Sequence, residues 1–509
     1  MENLLGIDVG TSAAKTVLFD TRGNTIASAT VEYPMYQPRI GWAEQDPEDW
    51  WNAVVATIQA VIDKGNINSN QIKGIGLTGQ MHGMVLLDKD LNVLRPAIIW
   101  CDQRTQSECD EMTSLIGRER LIEITANPAL TGFTASKVMW VKKNQPHIFD
   151  RTHKILLPKD YIRLKLTGEC ATEVSDASGT QFLDVPNRKW SEEILKKLEI
   201  PMEWMPEVFE SPVVSGKVSQ GAAQLTGLKI DTPVVGGGGD QAAGAVGNGI
   251  VKPGLISSTI GTSGVVFAHM DSVSIDPKGR VHTFCHAIPG AWHVMGVTQG
   301  AGLSLQWMRD NFGGMERDLA SFLDINPYDL MNQEAENAKP GCQGLIYLPY
   351  LMGERTPHLD PNARGVFFGL TAKHDRTHML RSVMEGVTYS LKDCLEILKE
   401  MGVLTHEIRA SGGGARSKLW RQMQADIFKV PIYTINSSEG PAFGAALLAG
   451  VGAKIYESVN EACSATIKTV DKLSPIEANI DIYSKYYEIY KGLYHDLKDR
   501  FIEVSELDV

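Results

Sequence analysis

Two short stretches of the chain carry residue types that suit phosphate binding. They are Gly10-Thr11-Ser12 and Gly261-Thr262-Ser263, which repeat the same three residues. Each lies between two apolar runs, a pattern that predicts two strands joined by a tight turn. The backbone N–H groups and hydroxyls of such a turn can cradle a phosphate group. Because the repeat comes about half the chain length later, the sequence also predicts two related halves.

The first of these hairpins also carries an acid and a base. Asp8 ends its first apolar run, and Lys15 follows in the second. A buried carboxylate is costly unless it meets a cation or hydrogen-bond donors. Asp8 therefore either caps the turn or holds a metal ion, and Lys15 offers positive charge to a phosphate group. Thr259 takes the place of Asp8 in the second hairpin, so only the first hairpin has an acid for a metal.

Another carboxylate follows a run of four glycines. The apolar residues 233–235 lead into glycines 236–239, then Asp240, then the small residues 242–245. A carboxylate in the first turn of a helix is favoured by the helix dipole, so Asp240 could be a structural cap. Four glycines exceed what a cap requires, and they let a ligand approach the backbone closely. The pattern therefore favours Asp240 as a general base.

Three side chains between two glycines form a further candidate site. They are Gln80, Met81 and His82, between Gly79 and Gly83, and they follow a predicted strand. We expect them to point into a cleft, although a lone histidine is more often structural than functional. The stretch that ends at Gly79 also matches the pattern GxGxxG. We do not interpret it as a dinucleotide fingerprint, because its glycines lie inside a strand pattern and not between a strand and a helix.

A second glycine turn occurs late in the chain. Residues 409–417 predict a strand, a turn of Gly412, Gly413 and Gly414, and the start of a helix. Bare backbone at such a turn can lie against a flat base and its ribose. The alternative is a tight strand-to-helix connection with no ligand.

The elements that must position these residues are visible in the periodicity of the sequence. Asp46 and Pro47 predict a helix start, and apolar residues then recur at helical spacing as far as Ile62. Residues 381–398 predict a long helix. The tail, residues 483–501, predicts an amphipathic helix that packs on the second domain.

Composition limits the class of protein and its partners. The net charge of −12 argues against a nucleic-acid or anionic-membrane partner. The seven cysteines include no CxxC pair, which is typical of free thiols in a reducing cytosol. No apolar run approaches the roughly 18 residues of a membrane-spanning helix. We therefore expect a cytoplasmic protein with small-molecule partners, and a homodimer is left open.

Taken together, these stretches resemble the FGGY family of carbohydrate kinases, within the superfamily of sugar kinases, Hsp70 and actin. The paired hairpins carry the superfamily resemblance. The GGGD stretch that ends at Asp240, the string GQMHG at 79–83 and the string GERTPH at 353–358 carry the family resemblance. Similar stretches extend from residue 4 to about residue 450.

The resemblance implies an α/β fold of two actin-like ATPase (ribonuclease H-like) domains with the active site in the cleft between them. Residues 1–248 would form the N-terminal domain, with the sugar site, the first hairpin and Asp240. Residues 249–509 would form the C-terminal domain, with the second hairpin, the adenosine site and the C-terminal helix.

The resemblance also implies ATP and Mg²⁺ as cofactors and assigns residues to them. Asp240 and Asp8 would be catalytic, with Asp8 on the metal ion. The sugar would contact Gln80, Met81, His82 and Asp240. The nucleotide would contact Thr11, Ser12, Lys15, Gly261, Thr262, Gly412, Gly413 and Gly414.

Alternatives remain at three points. GQMHG is typical of family members that phosphorylate D-xylulose to D-xylulose 5-phosphate, but another ketose, a polyol or a sugar acid is an alternative substrate. An ATP-gated switch protein like actin or Hsp70 is an alternative class. Asp102 and Arg104 either form a local ion pair or line the sugar site, and Trp42 either packs or faces the sugar.

Overall fold

The computed structural model describes residues 2–437 and 439–507 of the chain. Two mixed sheets of seven strands each dominate it, one in each half. The strands of the first half are β1 (Asn3–Val9), β2 (Ala13–Asp20), β3 (Thr25–Glu32), β4 (Glu44–Gln45), β5 (Ile72–Gly79), β6 (Val85–Leu87), β7 (Ala97–Ile98), β8 (Lys154–Leu156), β9 (Ala171–Glu173), β10 (Leu183–Asp184), β11 (Lys189–Trp190), β12 (Glu207–Phe209), β13 (Val214–Lys217), β14 (Pro233–Val235) and β15 (Gly238–Gly239). Its helices are α1 (Pro47–Gly65), α2 (Gln106–Ile116), α3 (Arg118–Thr125), α4 (Thr134–Asn144), α5 (Pro146–Phe149), α6 (Pro158–Thr167), α7 (Val174–Ala177), α8 (Glu192–Lys197), α9 (Gln220–Thr226) and α10 (Asp240–Gly247).

The second half continues the same alternation of strands and helices. Its strands are β16 (Gly254–Ile260), β17 (Gly264–Met270), β18 (His282–Cys285), β19 (Trp292–Thr298), β20 (Ile346–Leu348), β21 (Val366–Phe368), β22 (Thr405–Ser411), β23 (Ile432–Ile435) and β24 (Thr469–Leu473). Its helices are α11 (Ala301–Phe312), α12 (Gly314–Leu323), α13 (Pro327–Glu336), α14 (Arg376–Glu400), α15 (Lys418–Phe428), α16 (Gly440–Gly452), α17 (Val459–Thr466) and α18 (Glu477–Leu507).

The two large sheets share one topology. The first contains the order β3-β2-β1-β5-β14, and the second contains β19-β17-β16-β22-β23. In each, the first three strands pair antiparallel, and the next two continue in parallel. The prediction of two related halves, made from the repeated turn, is therefore confirmed.

Strand β1 lies in the middle of the first sheet and is buried on both faces. Alternate residues of a strand point to opposite faces, and here Ile7 packs with Trp50 of α1 while Leu4 packs with Phe443 of α16. Trp50 and its neighbour Trp51 are both buried. Asp46 caps α1 by accepting a hydrogen bond from the Glu48 N–H, also as predicted.

Helix α16 comes from the second half but packs on the first sheet. It approaches so closely that a Cβ added to Gly6 or to Gly76 would lie 1.9 Å from a carbonyl oxygen of α16. Gly74 and Gly76 of the GxGxxG stretch therefore make room for α16, and the whole stretch lies within strand β5, so it is not a phosphate loop. The division of the chain at residue 248 stays a prediction.

Long helices cover the second sheet. Helix α14 packs on β19, where a Cβ on Gly296 would lie 2.5 Å from Cβ of Cys394. Tyr483 and Tyr490 of α18 join the same core, so the prediction that the tail helix packs on the second half is confirmed. The cysteines are free thiols. None of the helices in the described ranges is both long and apolar enough to cross a membrane.

Candidate functional site

Each of the two repeated turns is closed by one backbone hydrogen bond. In the first, the N–H of Gly10 donates to the carbonyl oxygen of Ala13 at 3.0 Å, and in the second, the N–H of Gly261 donates to that of Ser263 at 3.0 Å. Asp8 stands opposite Lys15 in the β1–β2 register. The two stretches thus form the predicted hairpins at corresponding places in the two sheets, and the second turn is one residue shorter than the first.

Side chains from distant parts of the chain hold the first turn. Gln45 donates to the carbonyl oxygen of Thr11 at 2.7 Å, and the indole N–H of Trp100 donates to the Thr11 hydroxyl at 2.8 Å. The hydroxyl of Tyr33 donates to the carbonyl oxygen of Gly10. Sequence analysis missed these three residues. They form no local pattern, because each reaches the turn only through the fold.

Gln80 belongs to the same network. Its amide donates to Gln45 at 2.8 Å, and its backbone N–H donates to the carbonyl oxygen of Val9 at 2.9 Å. The side chain is buried. In this structure Gln80 therefore supports the first hairpin, and its predicted contact with the sugar stays a prediction.

Asp8 and Asp240 form a pair of carboxylates at the strand ends. Asp8 is half-buried, and its buried Oδ1 has no hydrogen-bond partner among the described residues. Burial raises the pKa of Asp8 to about 6, against the opposing charge of Lys15. Asp240 is the first residue of α10. Burial, followed by the charge of Asp8, raises the pKa of Asp240 to about 7.

This pair of carboxylates fits a divalent cation. The unpartnered oxygen of Asp8 is an available ligand, and the mutual repulsion of the two acids would be relieved by positive charge. Within the described ranges there is no cluster of three or more His, Cys, Asp or Glu residues that could enclose a metal. That agrees with Mg²⁺, which is usually bound by one or two carboxylates together with phosphate oxygens and water.

Lys15 forms an ion pair with a carboxylate of the second half. Its ammonium group lies 2.5 Å from a carboxylate oxygen of Glu439, the residue before α16. The predicted contact of Lys15 with a phosphate group stays a prediction, and it requires Lys15 to exchange or share this partner.

A cavity of about 260 Å³ lies beside the second hairpin. Its lining includes Gly261 and Thr262 of the turn, Gly413 and Gly414 of the late glycine turn, and the ring of Tyr328. Bare backbone on one side and an aromatic ring on the other suit a flat heterocycle. The predicted strand, glycine turn and helix start at 409–417 are confirmed as elements.

A second cavity, of about 500 Å³, joins that turn to Asp240. Thr259, Ser411, Gly412 and Gly413 line it together with Asp240. Gly413 lines both cavities, so they meet at this residue. Gly412 has a φ of 75°, and a Cβ there would lie 2.5 Å from the Ile260 carbonyl oxygen, so the turn also needs glycine for packing. The hydroxyl of Thr259 is bonded to that of Ser411 at 2.7 Å.

Met81 and His82 lie on the other side of Asp240. Met81 packs on the backbone just before Asp240, because a Cβ on Gly239 would lie 2.9 Å from Cγ of Met81. His82 has a φ of 68°, and its Nδ1 lies 2.8 Å from the carbonyl oxygen of Gly179. Since a carbonyl oxygen only accepts, Nδ1 carries the proton. Burial lowers the pKa of His82 to about 3, so the ring is neutral and Nε2 is a hydrogen-bond acceptor.

Lys137 of α4 hydrogen-bonds to the backbone of His82. Its ammonium group donates to the carbonyl oxygens of His82 at 2.9 Å and Gly132 at 2.7 Å, and the Thr134 hydroxyl donates to His82 at 3.1 Å. Lys137 is fully buried, and burial lowers its pKa to about 7. It has no ion pair with any described residue. Sequence analysis did not single out Lys137, which reaches His82 only through the fold.

Asp102 and Arg104 form the local ion pair that was one of two alternatives. Their side chains meet at 2.7 Å and are almost fully buried, and Glu44 also accepts from Arg104 at 2.7 Å. The guanidinium group of Arg104 lies 3.7 Å from the ring centroid of Trp42. This stack gives Trp42 a packing role beside the first hairpin.

Comparison with known proteins links both halves to one family. The model of the N-terminal domain of the FGGY family of carbohydrate kinases matches residues 3–247, and that of the C-terminal domain matches residues 256–453. The xylulose kinase of Bacillus subtilis (strain 168) is 40% identical over 499 residues, which covers 98% of each chain. The gluconokinase of the same strain is 32% identical over 506 residues, 99% of this chain and 98% of the relative.

A solved structure extends the likeness to three dimensions. The ligand-bound xylulose kinase of Lactobacillus acidophilus superposes with a TM-score of 0.91 at 28% identity, covering 99% of this chain and 100% of that one. The predicted α/β fold of two actin-like domains is confirmed by this likeness. With both of its halves matched over most of their length, the chain belongs to the FGGY family of carbohydrate kinases.

Proposed function

We propose that the protein transfers the γ-phosphoryl group of ATP to the 5-hydroxyl of D-xylulose, with Asp240 as the general base. The observation that supports this most is the position of Asp240. It borders the cavity that leads to the glycine turn, and Met81 packs on the residue that precedes it. A hydroxyl group near Met81 and His82 and a phosphate chain in the cavity would meet at this carboxylate.

Phosphoryl transfer needs the protein mainly to position the reacting groups and to neutralise charge. Asp240 accepts the proton of the sugar hydroxyl as that oxygen attacks the γ-phosphorus in line. The new O–P bond forms while the bond from γ-phosphorus to the bridging oxygen breaks, and ADP leaves. A base of this kind contributes roughly 10²- to 10⁴-fold. Its raised pKa, about 7, suits proton transfer at neutral pH.

Asp8 is the residue that would hold a magnesium ion. Its unpartnered Oδ1 would contact the ion directly or through water. A magnesium ion held there would supply positive charge that neutralises the phosphate oxygens. The backbone N–H groups of Thr11, Ser12 and Thr262 would donate to the phosphates, and Gly261 would let the phosphates approach the backbone closely. Gly412, Gly413 and Gly414 would lie against the adenosine.

The choice of sugar is assigned to Met81 and His82. The neutral ring of His82 would accept a hydrogen bond from a sugar hydroxyl at Nε2, and Met81 would pack on the carbon chain. A site that bonds one particular hydroxyl discriminates strongly, because a substrate that lacks it leaves polar groups unpaired.

His82→Ala should therefore reduce kcat/KM for D-xylulose by roughly tenfold or more, while the KM for ATP changes little. Steady-state kinetics with each substrate varied in turn measures both. Equal weakening for ATP and sugar, or no change for either, would make His82 a structural residue only.

A sugar acid is the second candidate substrate, and two observations favour it. One relative is a gluconokinase. The side chain of Arg355 is partly buried and has no ion pair or side-chain hydrogen bond to the described residues, and its charge contributes to the lowered pKa of His82. The guanidinium group of Arg355 could form an ion pair with the carboxylate of a sugar acid. Against it, a neutral His82 adds no second positive charge.

A coupled assay for ADP over a panel of sugars separates these possibilities. The panel contains D-xylulose, D-gluconate, glycerol and a sample without sugar. We expect D-xylulose to give the highest kcat/KM, and ADP release to need a sugar. Preference for D-gluconate would transfer the proposal to the acid. Membership of a carbohydrate kinase family already argues against an ATP-gated switch. ADP release without a sugar would instead support that alternative.

A further inference from the structure

A cavity of about 930 Å³ lies in the second half, separate from the site described above. Its walls are the C-terminal part of α14, the end of α15 and the middle of α18, with a loop residue, His358, at one end. It shares no lining residue with the two cavities beside the glycine turn. Cavities of this size hold small molecules.

The charge of this cavity is opposite in sign to that of the whole chain. The chain has a net charge of −12, whereas lysine and arginine outnumber aspartate and glutamate in the lining. Three of the lining carboxylates already have cationic partners. They are Glu396 with Lys399 at 3.0 Å, Glu400 with Arg280 at 3.0 Å, and Glu488 with Lys491 at 2.9 Å.

Three lysines of the lining are left without an ion pair to any described residue: Lys278, Lys392 and Lys429. They come from three different parts of the chain, so no single helix face explains their convergence. Lys278 and Lys429 are exposed, so water solvates their charges. Lys392 is different, because only 7% of it is exposed.

Lys392 is a buried cation with no ion pair to a described residue, and the nearby carboxylates of Glu396 and Glu488 are paired with other lysines. Its ammonium group lies 4.1 Å from the ring centroid of Tyr487 and makes no hydrogen bond within the described part of the chain. The neighbouring carboxylate, Asp393, is bonded instead to the Tyr487 hydroxyl at 2.7 Å. Burial lowers the pKa of Lys392 to about 8. The charges of Glu396 and Glu488 oppose that decrease, and those of Lys429 and Lys399 add to it. A bound anion would offset the cost of burying this charge and the repulsion from the neighbouring lysines.

We propose that this cavity binds a small phosphate-bearing anion, held by Lys392 at its base and by Lys429 and Lys278 at its rim. Lysine binds phosphate as a point charge from any direction, which suits ammonium groups that converge from separate elements. The volume admits a molecule as large as a phosphorylated sugar. The site is separate from that of the reaction proposed above, because its lining shares no residue with the cavities beside the glycine turn and Asp240.

Calorimetric titration of the full-length protein with inorganic pyrophosphate tests this site. A saturating non-hydrolysable ATP analogue with Mg²⁺ first fills the nucleotide site. Low ionic strength keeps screening weak. We expect the wild type to bind pyrophosphate at one further site. Lys392→Met and Lys429→Asn should each weaken that binding by at least about fivefold. Asparagine suits position 429, which has a φ of 61°.

Lys252→Met is the matched control. Lys252 is exposed, lies outside the cavity and has no ion pair with the described residues, so the change in charge is the same. Its binding of pyrophosphate should equal that of the wild type. The proposal fails if the wild type shows no second site, if either cavity variant binds like the wild type, or if Lys252→Met weakens binding as much as they do. Melting temperatures verify that each variant folds.

Discussion

Asp8 and Asp240 are the residues at which the proposed function is most open to test. Asp240→Asn keeps the size of the side chain and its place in the first turn of α10 but removes its basicity. We expect the variant to fold, to bind MgATP and to lose at least about 10²-fold in kcat. Single-turnover kinetics together with nucleotide titration measures the two properties separately. Near-normal transfer by a folded Asn variant would leave Asp240 as a cap.

The wild-type pH profile gives a second test of the same residue. Asp240 acts as a base only when deprotonated, and its pKa in the free protein is raised to about 7. The value of kcat/KM should therefore fall as the pH decreases through about 7, because this ratio reports the free enzyme. A profile that stays flat down to pH 5 would contradict a base with this pKa.

The charged form of Asp8 should destabilise the ligand-free protein at neutral pH. Its pKa is 3.8 in the reference state and is raised to about 6 in the fold, so the fold favours the protonated form. That contribution is fully present below the unfolded-state value and is lost as the pH rises through about 6. Asp8→Asn imitates the protonated form, and it should be more stable than the wild type at pH 8, by up to roughly 3 kcal/mol.

Urea denaturation in the presence of a chelator, from pH 4 to pH 8, measures this difference. The two proteins should converge at the acid end of the range. If Asp8→Asn is no more stable than the wild type at pH 8, Asp8 has a partner that compensates its charge, and its assignment to a metal loses its physical basis. The same variant should lose metal-dependent activity.

At the scale of elements, the sequence predicted the hairpins well and their surroundings poorly. The repeated Gly-Thr-Ser turns, the cap at Asp46 and the helix start at Asp240 depend on neighbours in the chain, so local patterns reveal them. Gln45, Tyr33 and Trp100 contact the first turn through the fold alone. No periodicity or turn signal marks such residues, which is why the site was only partly predictable.

Helix α4 provides a test of how an element positions a residue of the sugar site. Lys137 fixes the carbonyl group of His82, whose φ is positive. Lys137→Met keeps the buried chain but removes the ammonium group. It leaves the carbonyl oxygen with only the weaker donor, Thr134. We expect the KM for the sugar to rise by roughly tenfold, since a lost hydrogen bond from a charged group costs about 1.5–3 kcal/mol. The KM for ATP should not change.

Lys143→Met is the control for this prediction. Lys143 lies on the same helix, but its side chain is exposed and reaches Glu108 only at 3.8 Å. Its kinetics should match the wild type. A Lys137→Met variant whose two KM values rise together would indicate general damage to the fold, and unchanged values would show that His82 keeps its conformation unaided.

For the whole molecule, the two related sheets were predictable from the repeat, but the packing between the halves was not. Small residues in α10 and α16 were visible in the sequence. Their contact joins residues about 200 positions apart, and such a pairing has no local signal. In the structure, a Cβ on Gly444 of α16 would lie 1.8 Å from the carbonyl oxygen of Ala243, and one on Gly247 of α10 would lie 2.1 Å from that of Gly440.

This contact leads to a prediction for the stability of the whole chain. In an isolated helix, glycine to alanine is stabilising by about 1 kcal/mol. Gly444→Ala should nevertheless destabilise the protein by about 1–3 kcal/mol, because its methyl group must separate α16 from α10. Gly492→Ala is the matched control, since Gly492 also lies in a helix and nothing is within 4 Å of an added Cβ. It should be neutral or slightly stabilising. Melting temperatures of the two variants then move in opposite directions, and a stabilised Gly444→Ala variant would show that the halves do not need this close approach.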